Sequence, residues 1–129
     1  MRTLTGHQSQ IYAIAFDGIN IATGSLDTSV RIWDAKTGYV HQMIKADRST
    51  EKAVLMGHTS LVGQIQMRGN VLVTGGSDGS VRVWDLEKLR CITRMAAHDN
   101  SVTSLQFDDK IIVTGGSDGY VKVTPPNIL

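Results

Sequence analysis

The segment VTGGSDG occurs at residues 73–79 and again at residues 113–119, 40 positions later, and a looser copy, ATGSLDT, occupies residues 22–28. Self-similarity at a fixed period of about 40 residues is typical of repeat architectures. A single unit of such an architecture cannot bury its own apolar face, so neighbouring units must stack on it. The fold therefore depends on what one repeat forms and on how many repeats the chain contains.

Each repeat is predicted to consist of about four short antiparallel strands. In IYAIAF (residues 11–16) and SVTSLQF (residues 101–107), side chains of different character alternate with the period of two that is typical of strands. Turns rich in Asp and Gly separate the segments, because Asp bonds nearby backbone N–H groups and Gly accepts positive φ. No stretch shows a helical period over three turns, so we expect an all-β chain.

The composition excludes several classes of protein. The chain has 129 residues, 13 of them basic and 12 acidic, and this balance does not indicate a nucleic-acid partner. No apolar run approaches the length of a membrane span, and the N-terminus lacks the apolar region of a secretory signal. Cys91 is the only cysteine, so no intramolecular disulfide can form. We therefore expect an intracellular protein, nuclear or cytoplasmic or both, that binds neither nucleic acid nor membrane.

Two pairs of dipeptides define the repeat. Gly6-His7 precedes Trp33-Asp34, and Gly57-His58 precedes Trp84-Asp85, with a His-to-Trp spacing of 26 in both copies. This pattern resembles the WD-repeat family of β-propellers over essentially the whole chain. The resemblance implies four-stranded antiparallel blades, of which we count about three, the last one truncated. Because propellers close with about four to eight blades, we expect a partial propeller whose ring is not closed.

The repeat pattern divides the chain into segments. We predict the end of a preceding blade's outer strand at 1–5, a blade at 6–45, an inserted loop at 46–56, a second blade at 57–96 and a truncated blade at 97–129. The loop is inferred because His7 and His58 are 51 residues apart rather than 40. The outer strand of the first blade is placed at YVHQMI. The third blade is truncated because Thr124-Pro125 replaces Trp-Asp, and proline cannot continue a central strand.

In the WD-repeat family, a Trp, a Ser or Thr, a His and an Asp of each blade form a hydrogen-bonded tetrad. By resemblance, the tetrads are His7, Thr23, Asp27 and Trp33; His58, Thr74, Asp78 and Trp84; and, without a Trp, His98, Thr114 and Asp118. A buried imidazole needs partners for both nitrogens, and a buried Trp N–H needs an acceptor. We therefore interpret these residues as structural.

Other interpretations of the same residues are weaker. His, Asp and Ser or Thr also form catalytic triads, but here the trio recurs in each repeat, whereas an active site is normally single. We therefore expect no enzymatic activity and no catalytic residue. His7, His58 and His98 occupy one repeat position on separate blades, and His41 is assigned to an outer strand, so we expect neither a metal nor a cofactor. TGGSDG lacks the Gly-Lys-Ser/Thr ending of a phosphate-binding loop.

A propeller displays strand starts and turns on one face, where partners bind. The candidate partner-binding rim, as we call these positions, consists of Gln10, Tyr12, Leu26, Gly63, Ser77, Thr103 and Ser117. Most of these residues are small or polar, and none is suited to transfer a proton. The rim therefore suits a peptide or protein partner.

Residues 10–38, QIYAIAFDGINIATGSLDTSVRIWDAKTG, look like a late blade of the cell-division-control type of F-box/WD-repeat proteins. Tyr12, Phe16-Asp17-Gly18, residues 24–29 and Trp33-Asp34 carry this resemblance. It implies the substrate-recognition propeller of an SCF ubiquitin ligase, which binds phosphorylated degrons, with an F-box upstream. That family reads phosphate mainly with arginines.

The positions that match those arginines hold Gln10, Tyr12 and Leu26. Because arginine pairs bidentately with phosphate and would dominate the affinity, we expect the chain alone to show no saturable binding of a phosphopeptide.

Two other functions stay open. The chain could be a generic WD-repeat scaffold subunit of a signalling, transcription or RNA-processing complex, or a truncated product without independent function. In each case, the two end blades of a partial propeller would leave apolar faces of several hundred Å² bare, which is unusual for a soluble monomer. We expect the rest of a propeller, or another copy of the chain, to cover them.

Overall fold

The computed structural model describes residues 3–35 and 51–125 of the 129-residue chain. These ranges contain eleven β-strands and no helix, which confirms the prediction of an all-β fold. The strands are β1 (Ile11–Phe16), β2 (Asn20–Ser25), β3 (Val30–Asp34), β4 (Glu51–Leu55), β5 (Val62–Arg68), β6 (Val71–Gly76), β7 (Ser80–Asp85), β8 (Arg90–Ala96), β9 (Val102–Phe107), β10 (Ile112–Gly116) and β11 (Val121–Thr124).

The strands form three antiparallel sheets that follow one another along the chain. Blade A has the strand order β1-β2-β3-β4, blade B has β5-β6-β7-β8, and blade C has β9-β10-β11. The first strands of the blades lie beside one another, since β1 contacts β5 and β5 contacts β9. The described strands do not close a ring. The arrangement is the expected partial propeller, with three strands in its last blade.

Strand β4 corrects the predicted loop at 46–56. Residues Glu51–Leu55 pair with β3, placing Leu55 opposite Val30, and Leu55 is 4% exposed. The loop prediction is therefore wrong for residues 51–55, because the apolar side chain at Leu55 is needed to cover the core. The strand predicted at YVHQMI (39–44), with His41, and the remainder of the predicted loop (46–50) lie outside the described residues.

The segment before blade A also differs from its prediction. Residues 3–5, which were expected to end an outer strand, are not part of a strand. A strand exists only with a hydrogen-bonded neighbour, and none of the three sheets of the described residues includes this segment.

Two apolar clusters hold the three blades together. The cluster between blades A and B contains Ala22, Val30, Ile32, Leu55, Val62, Ile65, Leu72 and Trp84. The cluster between blades B and C contains Val73, Val81, Val83, Val102, Leu105 and Ile112. Because successive side chains of a strand point to opposite faces, β6 contributes Leu72 to the first cluster and Val73 to the second. Blade B is therefore covered on both faces.

Glycines allow neighbouring blades to approach closely at two equivalent places. A Cβ atom at Gly24 would lie 2.8 Å from Cγ1 and 2.9 Å from the carbonyl oxygen of Val62. At Gly75 it would lie 2.7 Å from Cγ1 of Val102. Val62 and Val102 are the first residues of the inner strands of blades B and C. Each of these valines therefore fills a notch that a glycine leaves in the preceding blade.

This contact predicts a large cost for the Gly24→Ala substitution. The added methyl group would meet the Val62 backbone, which cannot rotate away, and overpacking of this kind costs about 1–3 kcal/mol. The matched control is Gly63→Ala, since a Cβ at Gly63 meets nothing within 4 Å. Urea unfolding should show a lower midpoint for Gly24→Ala and a change within about 0.5 kcal/mol for the control. Equal midpoints for the two variants would contradict the close approach of blades A and B.

Candidate functional site

The tetrad of blade A is a continuous chain of hydrogen bonds. Trp33 Nε1 donates to Thr23 Oγ1 at 2.9 Å, and Thr23 Oγ1 lies 2.6 Å from His7 Nε2. His7 Nδ1 lies 3.0 Å from a carboxylate oxygen of Asp27. Since Thr23 already accepts from Trp33, its hydroxyl proton can donate to Nε2 of a neutral imidazole, whose Nδ1–H then donates to Asp27. Every polar atom of this chain thereby has a partner.

Blade B has the same series of hydrogen bonds with one difference. Trp84 Nε1 donates to Thr74 Oγ1 at 2.9 Å, and Thr74 Oγ1 lies 2.7 Å from His58 Nε2. His58 Nδ1 is 3.8 Å from Asp78, which is too far for a hydrogen bond. Instead, the Ser80 hydroxyl lies between them, 3.3 Å from His58 Nδ1 and 2.7 Å from Asp78. The serine therefore bridges the histidine and the carboxylate.

Blade C has the same histidine, threonine and aspartate without the tryptophan. His98 Nδ1 lies 3.0 Å from Asp118, and His98 Nε2 lies 2.9 Å from Thr114 Oγ1. Thr124 stands at the tryptophan position, opposite Ile112, and its hydroxyl lies 3.5 Å from Met95 Sδ. The structure therefore brings together each of the three sets that the sequence grouped.

The sequence interpretation missed one participant in two blades. Ser29 and Ser80 lie two residues after Asp27 and Asp78, and each donates its hydroxyl to that aspartate, at 2.6 and 2.7 Å respectively. The signal was present in the sequence, since Asp-x-Ser occurs in both turns. Blade C has Tyr120 at this position, 61% exposed, so its aspartate bonds the histidine without a serine.

Burial and hydrogen bonding set the charge state of these residues. Burial lowers the pKa of His58 from 6.5 to about 4, although the charge of Asp78 opposes this. Burial would raise the pKa of Asp78, but hydrogen bonds from Ser80 and Thr59 outweigh it and lower the pKa to about 2. At neutral pH, the second blade therefore holds an uncharged imidazole beside an ionised carboxylate.

The geometry is that of structural joints, one in each blade. Each joint ties the segment before the inner strand to the turn between the second and third strands. The backbone N–H groups of Gln8 and Asp99 donate to Asp27 and Asp118, at 2.9 and 3.0 Å. Among the residues that the structure describes, no group of three His, Cys, Asp or Glu side chains could hold a metal ion. The expectation that the chain has no enzymatic activity stays a prediction.

The candidate partner-binding rim lies at the edge of the blades that these joints fix. In each blade, the backbone N–H of one turn residue donates to a carbonyl oxygen just before the inner strand, at 2.9 Å every time. The donor and acceptor pairs are Leu26 and Gln10, Ser77 and Leu61, and Ser117 and Ser101. The rim positions of the three blades are therefore held in the same way.

The rim side chains differ between blades. In blade A, Tyr12 is 51% exposed and Leu26 is 46% exposed, and the Tyr12 hydroxyl donates to Gln10 Oε1 at 3.0 Å. In blades B and C the rim is small and hydroxylated, with Ser77 donating to the Ser60 hydroxyl at 2.9 Å and Thr103 donating to the Gly115 carbonyl at 3.3 Å. Blade A thus supplies the apolar part of the rim.

The family assignment follows from a match of the sequence to the family model described as "WD domain, G-beta repeat". The matched residues are 1–34, 49–85 and 89–124. This chain belongs to the WD-repeat family. WD repeats form scaffolds for protein interactions, and this is the class of function that the family gives to the chain.

The relatives of the chain carry different names. The F-box/WD repeat-containing protein sel-10 of Caenorhabditis elegans is 38% identical over 91 residues, which cover 69% of this chain and 14% of that protein. Mitochondrial division protein 1 of Kluyveromyces lactis is 33% identical over 111 residues, covering 77% and 16%. The ribosome biogenesis protein WDR12 homolog of Drosophila erecta is 35% identical over 89 residues, covering 63% and 21%.

The chain thus spans between 14% and 21% of the length of these three relatives. Their names do not indicate one shared biological process. Within residues 3–35 and 51–125, no helix is long and apolar enough to cross a bilayer.

The buried hydrogen-bonded tetrad of blade B predicts that the Thr74→Val substitution lowers the stability of the fold. Valine keeps the shape but leaves the buried Trp84 N–H without an acceptor, and such a loss costs about 1–3 kcal/mol. The control is Thr103→Val, because the Thr103 hydroxyl is exposed and its bond is long. Urea unfolding should give a lower free energy for Thr74→Val alone. If both variants unfold at the wild-type midpoint, the tetrad does not stabilise the fold.

The lowered pKa of His58 predicts acid-sensitive stability. The unfolded state binds a proton near pH 6.5, whereas the folded imidazole resists protonation down to about pH 4. The contribution of His58 to the free energy of unfolding is therefore fully present above pH 6.5. It falls as the pH drops toward 4, by about 3 kcal/mol at the lower end. Urea unfolding at several pH values should show this loss, and His58→Gln should remove most of it. An NMR titration that places the His58 pKa near 6.5 would contradict the expected burial.

Proposed function

We propose that this chain presents a peptide-binding rim that belongs to the substrate-recognition propeller of an F-box/WD-repeat ubiquitin-ligase receptor. The observation that carries the proposal is the exposed pair of Tyr12 and Leu26 at the rim, held by the backbone bond between Leu26 and Gln10. An exposed aromatic and an exposed aliphatic side chain on a rigid edge suit an apolar anchor of a bound peptide.

Two further observations support this function over others. The resemblance of residues 10–38 to F-box/WD-repeat proteins includes Tyr12 and the turn that holds Leu26. The match to the F-box/WD repeat-containing protein sel-10 covers 69% of the chain. Phosphorylated degrons are the ligands that the resemblance implies.

The rim of this chain does not read the phosphate of such a ligand. All seven rim residues are uncharged, and a phosphate is recognised best by the bidentate donors of arginine. We assign the phosphate contacts to other repeats of a complete propeller, and the apolar flank of the degron to Tyr12 and Leu26.

The second candidate function is a generic WD-repeat scaffold in another complex. The similarity to mitochondrial division protein 1 and to the WDR12 homolog favours it, because these names indicate other processes. In that case the rim binds a partner without any dependence on phosphorylation. A product without independent function would bind neither kind of ligand.

An arginine substitution at the rim distinguishes degron binding from a generic scaffold function. The wild-type chain should show no saturable binding to a fluorescent threonine-phosphorylated peptide library. Gln10→Arg, which keeps both Tyr12 and Leu26, should gain saturable binding that is at least about tenfold tighter for the phosphorylated library than for its unphosphorylated counterpart, because the charge-assisted bond forms only with phosphate. Ile92→Arg is the control, since Ile92 is 47% exposed on the outer strand β8 and away from the rim.

The readout is fluorescence anisotropy at fixed salt concentration. Tight binding by the wild-type chain that is lost on Tyr12→Ala would show that the rim itself reads the phosphorylated ligand, against our assignment of the phosphate to other repeats. If Gln10→Arg binds no better than Ile92→Arg, the rim is not a degron groove, and the generic scaffold becomes the better interpretation.

A further inference from the structure

Two arginines lie directly opposite each other on the outer strands of blade B. Arg82 of β7 pairs in register with Arg94 of β8. Side chains that are directly opposite in an antiparallel pair have Cβ atoms about 4.5–5.5 Å apart, and like charges in this position destabilise a sheet. An opposite charge between the two side chains would remove that repulsion.

Neither arginine has an acidic partner in the part of the chain that the structure describes. Arg82 and Arg94 form no hydrogen bond or ion pair there, and the Arg82 Nε atom is buried without a hydrogen-bond partner. A buried donor that carries part of a positive charge is costly to leave unpaired. Arg82 is half-buried and Arg94 is exposed, so the pair extends from the interior of the blade to its surface.

The guanidinium group of Arg82 is held in place by its surroundings. A Cβ atom at Gly57 would lie 2.8 Å from Nη1 and 3.1 Å from Cζ of Arg82, and 3.3 Å from the indole ring of Trp84. The guanidinium group therefore occupies the space that the missing side chain of Gly57 leaves beside this ring. Because a planar group that is already oriented loses little freedom when it binds, its position favours the binding of an anion.

The other blades have a basic residue at the position of Arg82 but no second cation opposite it. In blade A, Arg31 lies opposite Val54, and its Nε atom donates to the Ser29 hydroxyl at 3.4 Å. In blade C the residue is Lys122, and the three described strands of that blade include none on its outer side. The repeat thus uses one basic residue at this position, and it does not explain Arg94.

The positive charge of the pair acts on the interior of the blade. Burial lowers the pKa of His58, and the charges of Arg82 and Arg94 lower it further, while the charge of Asp78 opposes them. The carboxylate of Asp78 accepts its hydrogen bond from the Ser80 hydroxyl and forms no ion pair with either arginine. The charge of the two guanidinium groups is therefore not neutralised by this carboxylate.

The two arginines lie beside the junction of two blades. Gly57, which contacts Arg82, follows the outer strand β4 of blade A by two residues, and Arg94 lies on the outer strand of blade B. We call the surface formed by Gly57, Arg82 and Arg94 the blade B flank. It includes no residue of the partner-binding rim, so a ligand on the flank would leave the rim free.

We propose that the blade B flank is an oxyanion site that binds the carboxylates of an acidic segment of a partner protein. The planar guanidinium group pairs with a planar carboxylate through two parallel hydrogen bonds. Two neighbouring acidic side chains would give each arginine the opposite charge that it lacks in the described residues. The flank would add a second point of attachment to the scaffold, whatever ligand the rim binds.

A single oxyanion is too weak a ligand to change the expectation for the phosphorylated peptide library. Ion pairs that are open to solvent contribute little to binding, so one phosphate on an otherwise unrelated peptide should not saturate the flank at micromolar concentrations. An acidic segment differs because its first contact raises the effective concentration of the carboxylates that follow.

Titration of the 129-residue chain with hexaglutamate tests the proposal. At about pH 7 the peptide is ionised, and NMR spectra of the arginine Nε–Hε groups report on each guanidinium separately. The signals of Arg82 and Arg94 should shift and saturate with a Kd of roughly 1 mM at low salt. Hexaglutamine, which has the same length without the charges, should cause no saturable shift.

Arg94→Gln should weaken the binding of hexaglutamate by at least about tenfold, because it removes one of the two bidentate donors. The matched control is Arg90→Gln, which removes the same charge from an exposed position of the same strand, opposite Asp85 rather than opposite an arginine. The control should stay within about twofold of the wild-type Kd. Arg82→Lys should also weaken binding, since lysine keeps the charge and loses the planar pair of donors.

Urea unfolding separates this binding role from a structural one. Arg94→Gln removes a like-charge contact, so its unfolding midpoint should equal or exceed that of the wild-type chain. A lower midpoint would show that Arg94 stabilises the fold, and it would contradict the proposal.

Three binding results would overturn the proposal. If the wild-type signals do not saturate with hexaglutamate up to roughly 20 mM, the flank is not a site. If Arg90→Gln loses as much affinity as Arg94→Gln, the peptide responds only to the net charge of the surface. If inorganic phosphate saturates the same signals at lower concentration than hexaglutamate, the flank is a phosphate site and not a site for acidic segments. The rim experiment with Gln10→Arg alters no flank residue, so either proposal can fail without the other.

Discussion

The burial of one blade's apolar face against the next blade is the interaction on which the rest of this structure depends. A four-stranded sheet of such short strands cannot cover its own side chains. Blade B shows the satisfied state, with Val81 and Val83 fully buried on one face and Leu72 on the other. The glycine notches show how closely the faces must approach, because Val62 and Val102 occupy space that any side chain at Gly24 or Gly75 would claim.

The tetrads are a consequence of this close stacking. The segment that leads into each inner strand passes beside the turn of its own blade, and its histidine is buried there, as the 5% and 6% exposures of His58 and His98 show. A buried imidazole without partners would cost several times the energy of an ordinary hydrogen bond. The threonine, the aspartate and, in blade B, Ser80 meet that requirement. Their repetition once in each blade is what a structural joint needs and what an active site does not.

Much of the fold could be predicted from the sequence because its determinants are local and repeated. The spacing from His7 to Trp33 equals that from His58 to Trp84, so both the strands and the tetrads follow from one pattern. Residues 51–55 were assigned to a loop because the spacing argument located an excess of residues without showing which of them pair. Leu55 decides that question, since its burial against Val30 is a tertiary contact.

The distances within the site were harder to predict than the identity of its residues. The residues of each tetrad could be chosen from their types and positions, but the 3.8 Å separation of His58 and Asp78 could not. It depends on where the turn places the carboxylate, and Ser80 fills the gap that results. The exposure of Tyr12 was also hard to predict, since the pairing register of β1 with β2 shifts between Ile11 and Ala13 and the alternation of faces is interrupted there.

The difference between residues that recur in every blade and residues that do not indicates which side chains are available to recognise a partner. The residues that recur in every blade are occupied with the joints and the core, and their partners lie within the chain. The rim turns are held by backbone bonds that do not depend on the side chain, as the presence of Leu26, Ser77 and Ser117 in equivalent turns shows. We therefore expect selectivity for a partner to come from side chains that blade A does not share with the other two, and Tyr12 and Leu26 are the exposed apolar ones on that edge.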